Sequence, residues 1–527
     1  VDTSLGTANR QIARGAGLVM AAFALNNLVG LARQMVVLNS FGTSGEMDAF
    51  LAANRVSETL FTLVAGGALA SAFIPTFTSL LVKDDQRGAW KLASAIANLI
   101  LLVLTLTALI AAILAPLVVR YLLAPGFSSD PAQEALTIDL LRLMLPSAVL
   151  FGLSGLVIGI LNSKQIFFVP ALAPTMYQLG MILGVLVLAP QLGIYGLAWG
   201  VLLGSLLYLL IQVPTLLRLG GQYFPTFGLK LPSVREVGRL MVPRLLGLAF
   251  VQLNFWVNTW LASRLSEGSY TGIIFAFTLM LMPQALIAQS IAIAALPTFS
   301  AQFAQGKLTD MRSSLASSLR GVLLLSLPAT LGLIILRIPL IELLYQRGEF
   351  TAHSTQIVAW ALLWYAVGLV GHSVVEIMVR AFYAMHDTRT PVLIGIAAMS
   401  LNIIFSVLFI GLFRQLGWMP HGGLALANSL ATLLEMIGLL YFMGDRLKGL
   451  DGRRVLTGLG KAAIATFVMS LVLFAWLNLA VSQPVWLLLI GGAVIGAGVY
   501  GVMVLALGVE EAKGLLSSAG RFVRGRF

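Results

Sequence analysis

The sequence predicts an all-α polytopic membrane protein. About fourteen transmembrane helices are expected, as two six-helix lobes related by a parallel repeat plus two C-terminal helices. Three observations predict this. Of the 527 residues, 59% are hydrophobic and only 10% charged, where a soluble domain carries about 25% charged residues. Apolar runs of roughly 20 residues, long enough to cross a bilayer as helices, recur between short charged or Pro/Gly loops. The basic residues are also asymmetric: with fourteen spans, 25 of the 33 Lys and Arg fall on the side of the two termini and six on the other, leaving Arg33 and Arg55 inside spans. Excess Lys/Arg marks the cytoplasmic face, so both termini are expected there.

The same numbers exclude other classes. A mean hydropathy of +0.94 leaves too little polar surface for a cytosolic enzyme, a nucleic-acid-binding domain or a disordered scaffold. The net charge of +12 is read as loop charge of a membrane protein, because no basic run is interleaved with aromatics. The absence of cysteine excludes disulfides, zinc–thiolate sites, iron–sulfur clusters and thiol catalysis. His353, His372, His386 and His421 have no metal-ligand spacing. No phosphate-binding Gly-rich loop and no nucleophile constellation appear, so the chain is not expected to be an enzyme or to need a cofactor. The polar start, Val1 to Ala13, does not read as a cleavable signal peptide.

Taken in order, the expected spans begin with 16–38 and 49–81, which hold most of the polar residues inside apolar runs. These are Asn26, Asn27, Arg33 and Gln34, then Asp48, Asn54, Arg55 and Glu58. A charge at mid-bilayer costs from about 3 to over 10 kcal/mol, so each ionisable group is a functional-site candidate. Arg33 either lines a cavity or snorkels from a helix end. Asp48 either serves the site or caps the second span. Arg55 and Glu58, three residues apart, share a helix face. They either form a structural ion pair or line a cavity, where a cation suits a lipid-linked phosphate.

Spans 92–119, 138–161, 167–189 and 194–217 complete the first lobe, residues 1–222. Pro146, Pro283 and Gly66-Gly67 permit kinks or close packing. Span 240–262 opens the second lobe, 223–445, and carries Gln252, Asn254 and Asn258; the last two share a face suited to interhelical hydrogen bonds or to a site. Spans 271–303 and 321–345 follow. Span 356–384 aligns His372, Glu376 and Arg380 as a stripe, either a Glu376–Arg380 pair or an ion or proton relay through His372. Spans 391–413 and 421–443 close the lobe, and Glu435 in the latter has no partner in its own helix. Spans 460–481 and 485–508, with a basic cytoplasmic tail, make up 446–527.

The repeat rests on two marks. Phe73-Ile74-Pro75-Thr76-Phe77-Thr78 recurs as Ala295-Leu296-Pro297-Thr298-Phe299-Ser300, an offset of 222. The unit Leu161-Asn162…Pro170 recurs as Phe382-Tyr383…Pro391, an offset of 221. Six spans per unit make the repeats parallel, a layout of secondary transporters.

Several segments resemble the MurJ/MviN lipid II flippase family, within the superfamily of multidrug and oligosaccharidyl-lipid exporters. They are Leu28-Val29-Gly30-Leu31-Ala32-Arg33, Phe41-Gly42…Asp48-Ala49-Phe50, Gly67-Ala68-Leu69…Ala72-Phe73-Ile74-Pro75, and Gly159-Ile160-Leu161-Asn162 with Pro170-Ala171-Leu172-Ala173-Pro174. The most specific are Leu343-Leu344-Tyr345-Gln346-Arg347-Gly348-Glu349-Phe350-Thr351 and Phe382-Tyr383-Ala384…Asp387-Thr388-Arg389-Thr390-Pro391. The similarity covers roughly residues 10 to 445.

The resemblance implies two six-helix lobes plus two helices that form a groove for a polyprenyl tail. It implies export of the undecaprenyl-pyrophosphate-linked peptidoglycan precursor across the bacterial inner membrane by alternating access, in peptidoglycan biosynthesis and cell-shape maintenance. The implied partners are a lipid-linked substrate and membrane lipids, not nucleic acid, and a monomer suffices. Coupling would draw on Na+ or the membrane potential. The cavity candidates are Arg33, Arg55, Asp48, Glu58 and Asn27, of which the resemblance implies Arg33, Arg55 and Asp48; the ion-coupling candidates are Asn258 and Asp387, from the resemblance, with Glu376 and His372 from the polar stripe. The chain departs from the family where Asn27, Phe61 and Thr278 stand at arginine positions and Asn258 at an acidic one. These departures keep two alternatives open: a flippase for another lipid-linked glycan, or a non-transporting MurJ-like subunit of a membrane complex.

Overall fold

The computed structural model describes residues 2–64, 68–509 and 511, and every element among them is a helix. Gly66-Gly67 and the basic tail with Lys513, Arg521, Arg524 and Arg526 lie outside the described residues. The chain forms two compact units, Val1–Gly268 with Arg347–Phe350, and Ser269–Gln346 with Thr351–Phe527.

The first unit contains α1 (Asp2–Phe41), α2 (Gly45–Val64), α3 (Ala68–Val82), α4 (Gln86–Ile113), α5 (Pro131–Met144), α6 (Pro146–Ser163), α7 (Phe168–Leu183), α8 (Ile194–Leu210) and α9 (Pro232–Ala262). Local chemistry sets the breaks. Asp85 caps α4 by accepting the Gly88 N–H at 2.7 Å, and Asp130 caps α5 by accepting the Ala132 N–H at 3.0 Å. Pro131 and Pro146 open their helices, where a missing N–H costs nothing. Helices α7 and α8 meet through glycine: a Cβ on Gly180 would stand 2.2 Å from the Gly204 Cα, and one on Gly184 2.5 Å from the Gly200 Cα. Such a seam lets two backbones approach within a membrane, where dispersion replaces the hydrophobic effect as the packing force. A separate core packs Phe73, Phe77, Leu92, Ile96, Ile160 and Val237.

The second unit contains α10 (Ser269–Gln284), α11 (Ser290–Ala304), α12 (Leu308–Tyr345), α13 (Ala352–Val367), α14 (Leu369–Ala384), α15 (Arg389–Gln415), α16 (His421–Arg446), α17 (Gly452–Leu479) and α18 (Val485–Ala506). Phe299, Met311, Leu319, Ile377, Phe382 and Leu439 form one core. The last two helices pack on α12 through Leu324, Ala465, Met469, Leu473 and Val504, and the Tyr500 hydroxyl donates to the Leu324 carbonyl at 2.5 Å.

Among the described residues, eleven helices are long and apolar enough to cross a membrane, or twelve if α13 and α14, bent by 48°, count as one span. The other two expected spans, 49–81 and 240–262, are helical over their described residues but are not among these. The first is divided between α2 and α3. The second lies within α9, whose charged residues Arg235, Glu236 and Arg239 precede it. Outward faces are apolar: Val103, Leu106, Leu109 and Ile110 on α4, and Phe467, Leu471 and Phe474 on α17, are exposed, as expected of surface that meets lipid.

The two sequence marks end in matching backbone turns. After α3, the Asp84 N–H bonds to the Leu81 carbonyl and the Asp85 N–H to the Leu80 carbonyl; after α11, Gly306 bonds to Phe303 and Lys307 to Gln302. After α6, Gln165 bonds to Asn162 and Ile166 to Leu161; after α14, His386 bonds to Tyr383 and Asp387 to Phe382. The offsets are again 222 and 221, and Pro170 and Pro391 each take the third position of the next helix.

Candidate functional site

The first unit gathers the polar residues of α1, α2, α7 and α9. On α2, Arg55 Nη1 lies 2.9 Å from Glu58 Oε2, and Asn54 Nδ2 donates to Glu58 Oε1 at 2.9 Å. Both oxygens of Glu58 are therefore engaged. Arg55 is 14% exposed and Glu58 48%, so the pair has one end in protein and one open. The guanidinium lies over the Phe255 ring of α9, 5.1 Å from its centroid, a placement that favours a cation. One turn on, Thr59 Oγ1 accepts from Trp256 Nε1 at 2.9 Å and lies 3.3 Å from Gln252 Oε1. Polar groups thus fasten α2 to α9.

Arg33 of α1 is half-buried, with Nη1 3.4 Å from the Met181 sulfur of α7. Tyr177, one turn earlier on α7, packs against Phe151, with ring centroids 5.1 Å apart. The adjacent Gln178 faces Gly30 and has a buried Oε1 without a hydrogen-bond partner; so does Asn26 Oδ1. Asn27 is exposed. Arg33 and Arg55 thus have separate partners, Met181 for the first and the Glu58 carboxylate for the second. Tyr177, Gln178 and Trp256 were not singled out in the sequence, although Tyr177-Gln178 interrupts an apolar run and could have been.

Asp48 is 3% exposed and accepts the Gly268 N–H at 2.8 Å. The cap of α2 is Ser44, whose Oγ accepts the Met47 N–H at 3.3 Å, so Asp48 is a tertiary tie to the segment after α9. Glu267 adds a second tie by accepting the Gly45 N–H at 2.6 Å. The 347–350 segment, part of the most specific sequence block, lies against the end of α1. The Glu349 N–H donates to the Asn39 carbonyl at 2.9 Å. Gly42 and Gly348 have φ of +56° and +55°, and a Cβ on either would stand 2.4 Å from the facing carbonyl oxygen.

The remaining candidates each have local partners. Phe61 packs on Phe151, with ring centroids 4.7 Å apart. Asn258 Nδ2 donates to Asn254 Oδ1 at 3.1 Å within α9. In the second unit, Thr278 donates to the Ile274 carbonyl at 2.8 Å. His372 Nε2 lies 3.1 Å from Asn428 Oδ1 and 3.3 Å from Thr432 Oγ1, both on α16. Arg380 Nη2 lies 2.7 Å from Glu376 Oε1 along α14.

Asp387, between α14 and α15, accepts from the Thr390 hydroxyl at 2.7 Å and the Thr390 N–H at 3.1 Å. Its Oδ2 is also 2.8 Å from Arg446 Nη2. Burial alone would raise its pKa, but the Thr390 bonds and the Arg446 charge outweigh that and hold it below the usual carboxylate value. Asn258 lies in the first unit and Asp387 in the second.

The family described as "Lipid II flippase MurJ" matches residues 37–490, most of the chain. The chain belongs to this family. A MurJ relative from Burkholderia cenocepacia, named lipid II flippase MurJ, is 31% identical over 434 residues, 81% of this chain and 82% of the relative. A probable lipid II flippase MurJ from Vibrio cholerae is 30% identical over 96% of this chain and 98% of its own length. Among solved structures, the inward closed conformation of a lipid II flippase MurJ aligns with a TM-score of 0.78 and 25% identity, covering 92% of this chain and 97% of that one. An inward-facing multidrug transporter of the MATE family shares the fold alone, at a TM-score of 0.67 and 16% identity over 82% of this chain and 96% of that one.

Proposed function

We propose that the chain moves lipid II, the undecaprenyl-pyrophosphate-linked peptidoglycan precursor, from the inner to the outer leaflet of the bacterial cytoplasmic membrane by alternating access. The family match carries this reading, because residues 37–490 include most of both units. Transport of this kind makes and breaks no covalent bond. Arg33 and Arg55 are assigned to the pyrophosphate: guanidinium groups bind phosphate oxygens through paired, charge-assisted hydrogen bonds. Arg55 then exchanges Glu58 for substrate. Asn27, Asn54 and Gln178 supply neutral donors. Asp48 is assigned to a gate, where opening would break its bond to Gly268. The matching offsets support lobes at 1–222 and 223–445, with 446–527 added. Both termini are cytoplasmic in this reading, the protein acts as a monomer, and coupling draws on Na+ or the membrane potential.

The test is lipid II flipping in cells depleted of their own flippase and carrying this chain on a plasmid. Lipid II in the outer leaflet is scored by an enzyme that cleaves it from outside. Cleavage above the empty-vector level is the expected result. A second reading, transport of another lipid-linked glycan, is favoured by one observation: Glu58 neutralises Arg55 at 2.9 Å, which weakens the grip on phosphate. Absence of cleavage with folded protein in the membrane would overturn the lipid II reading and leave another lipid-linked glycan or a non-transporting subunit of a membrane complex, which pull-down from the native membrane separates.

A further inference from the structure

The second unit carries a basic cavity that the transport reading does not use. Arg320 of α12 and Arg453, Arg454 and Lys461 of α17 line a space of about 460 Å³, bounded on the α18 side by Gly508 and Glu511. Arg320 is committed to Glu511 as an ion pair, and Gly458 gives it room, since a Cβ there would lie 3.1 Å from the Arg320 Cδ. Lys461 Nζ donates to the Gly508 carbonyl at 3.3 Å. Arg453, Arg454 and Lys461 form no ion pair among the described residues, and the nearby Asp451 is taken by Arg312 at 3.2 Å.

Two arguments separate this cluster from ordinary loop charge. Orientation by basic residues needs charge near a span end, not charge that converges on one cavity. Arg453 and Arg454 also occupy the first turn of a 28-residue helix, where the helix dipole disfavours cations, so they weaken the helix end unless an anion joins them. Apolar surface adjoins the cavity: Leu456, on the next turn, is 66% exposed, and the core beneath it includes Leu324, Ala462 and Ala465.

We propose that this cavity binds a lipid-borne phosphate, the headgroup of an anionic phospholipid in the leaflet it faces. Arg453 and Arg454 take phosphate oxygens in paired hydrogen bonds, and Lys461 adds a point charge. The phospholipid chains lie along the exposed apolar face of α17, which carries Phe467 and Leu471. A polyprenyl pyrophosphate presents the same chemistry, and the two sources are separable by experiment.

The full chain, purified in detergent, is incubated separately with phosphatidylglycerol, phosphatidylcholine, undecaprenyl pyrophosphate and inorganic phosphate, and retained ligand is counted by native mass spectrometry. Phosphatidylglycerol is expected to be retained over phosphatidylcholine. The Arg453→Gln/Arg454→Gln/Lys461→Gln variant should lose about a hundredfold of that retention, at roughly 1 kcal/mol per basic residue, whereas Arg453→Lys/Arg454→Lys should keep most of it. Arg453 and Arg454 are exposed, so Arg453→Gln/Arg454→Gln replaces the triple variant if the latter does not fold. Equal retention of the two phospholipids, or unchanged retention in the variant, overturns the proposal. A loss confined to undecaprenyl pyrophosphate overturns the phospholipid assignment in favour of a substrate-docking site. Binding of inorganic phosphate without any lipid overturns it as well.

Discussion

Gln165 and His386 stand 221 residues apart and hold the same left-handed backbone, with φ of 60° and 57°. Each ends a helix by donating its N–H three residues back, to Asn162 and Tyr383 respectively. An L-residue with a Cβ is strained in this conformation by about 1 kcal/mol, and glycine is not. Gln165→Gly and His386→Gly should therefore each stabilise the protein, by about 0.5–1 kcal/mol. Thermal unfolding in detergent is the check, and a lowered midpoint for both variants would contradict the shared cap.

The Arg55–Glu58 pair makes opposite predictions for its two members. Arg55→Ala should abolish most flipping in the depletion assay. Glu58→Gln keeps an acceptor for Asn54 but releases the Arg55 charge, so it should bind pyrophosphate at least as tightly as the parent. A Glu58→Gln protein that is folded yet binds undecaprenyl pyrophosphate more weakly would place the carboxylate, not the arginine, at the substrate.

The glycine seam of α7 and α8 admits no side chain. Gly204→Leu puts atoms where Tyr177 now lies, its carbonyl oxygen 2.6 Å from a modest Cβ, and should cost more than about 3 kcal/mol through overpacking of two backbones. Gly238→Ala on α9 meets nothing within 4 Å and should be neutral or stabilising by up to about 1 kcal/mol. Folded yield on size exclusion separates the two; equal yields would contradict the seam.

Asp387 makes a pH-dependent contribution. Its pKa is lower in the folded than in the unfolded chain, so the unfolded state binds the proton more readily. The contribution is fully present above the unfolded value, about 3.9, and is lost as pH falls through the lower folded value. Asp387→Asn should lower the unfolding midpoint at neutral pH, and the difference from the parent should shrink in strong acid. A difference that stays constant down to about pH 2 would assign the effect to packing rather than charge.

Much of the candidate site was legible because charge inside an apolar run has few explanations. Arg33, Asp48, Arg55 and Glu58 stood out on that ground alone, and the three-residue spacing of Arg55 and Glu58 was enough to pair them. Asp48 shows where such reading stops. Near the start of a helix it looks like a cap, yet Ser44 fills that position and Asp48 reaches Gly268, 220 residues away. Tyr177 and Gln178 escaped notice because aromatic and amide residues in an apolar run are common and uncharged.

By itself the sequence determined the all-helical membrane class and the place of most of the spans, and its residue offsets pointed to a repeat. These follow from composition and from residue offsets, which need no knowledge of what each helix touches. It left Arg33 with two environments, Glu376 and His372 with two roles each, and Gly180 and Gly204 without a partner. Only the tertiary structure decided that Arg55 lies over Phe255, that His372 meets Asn428, and that residues 347–350 lie against Asn39. Each of these depends on which helix faces face one another. Periodicity selects an apolar face, but within lipid several faces are apolar, so the hydrophobic pattern no longer singles out the partner; side-chain shape and hydrogen bonding do.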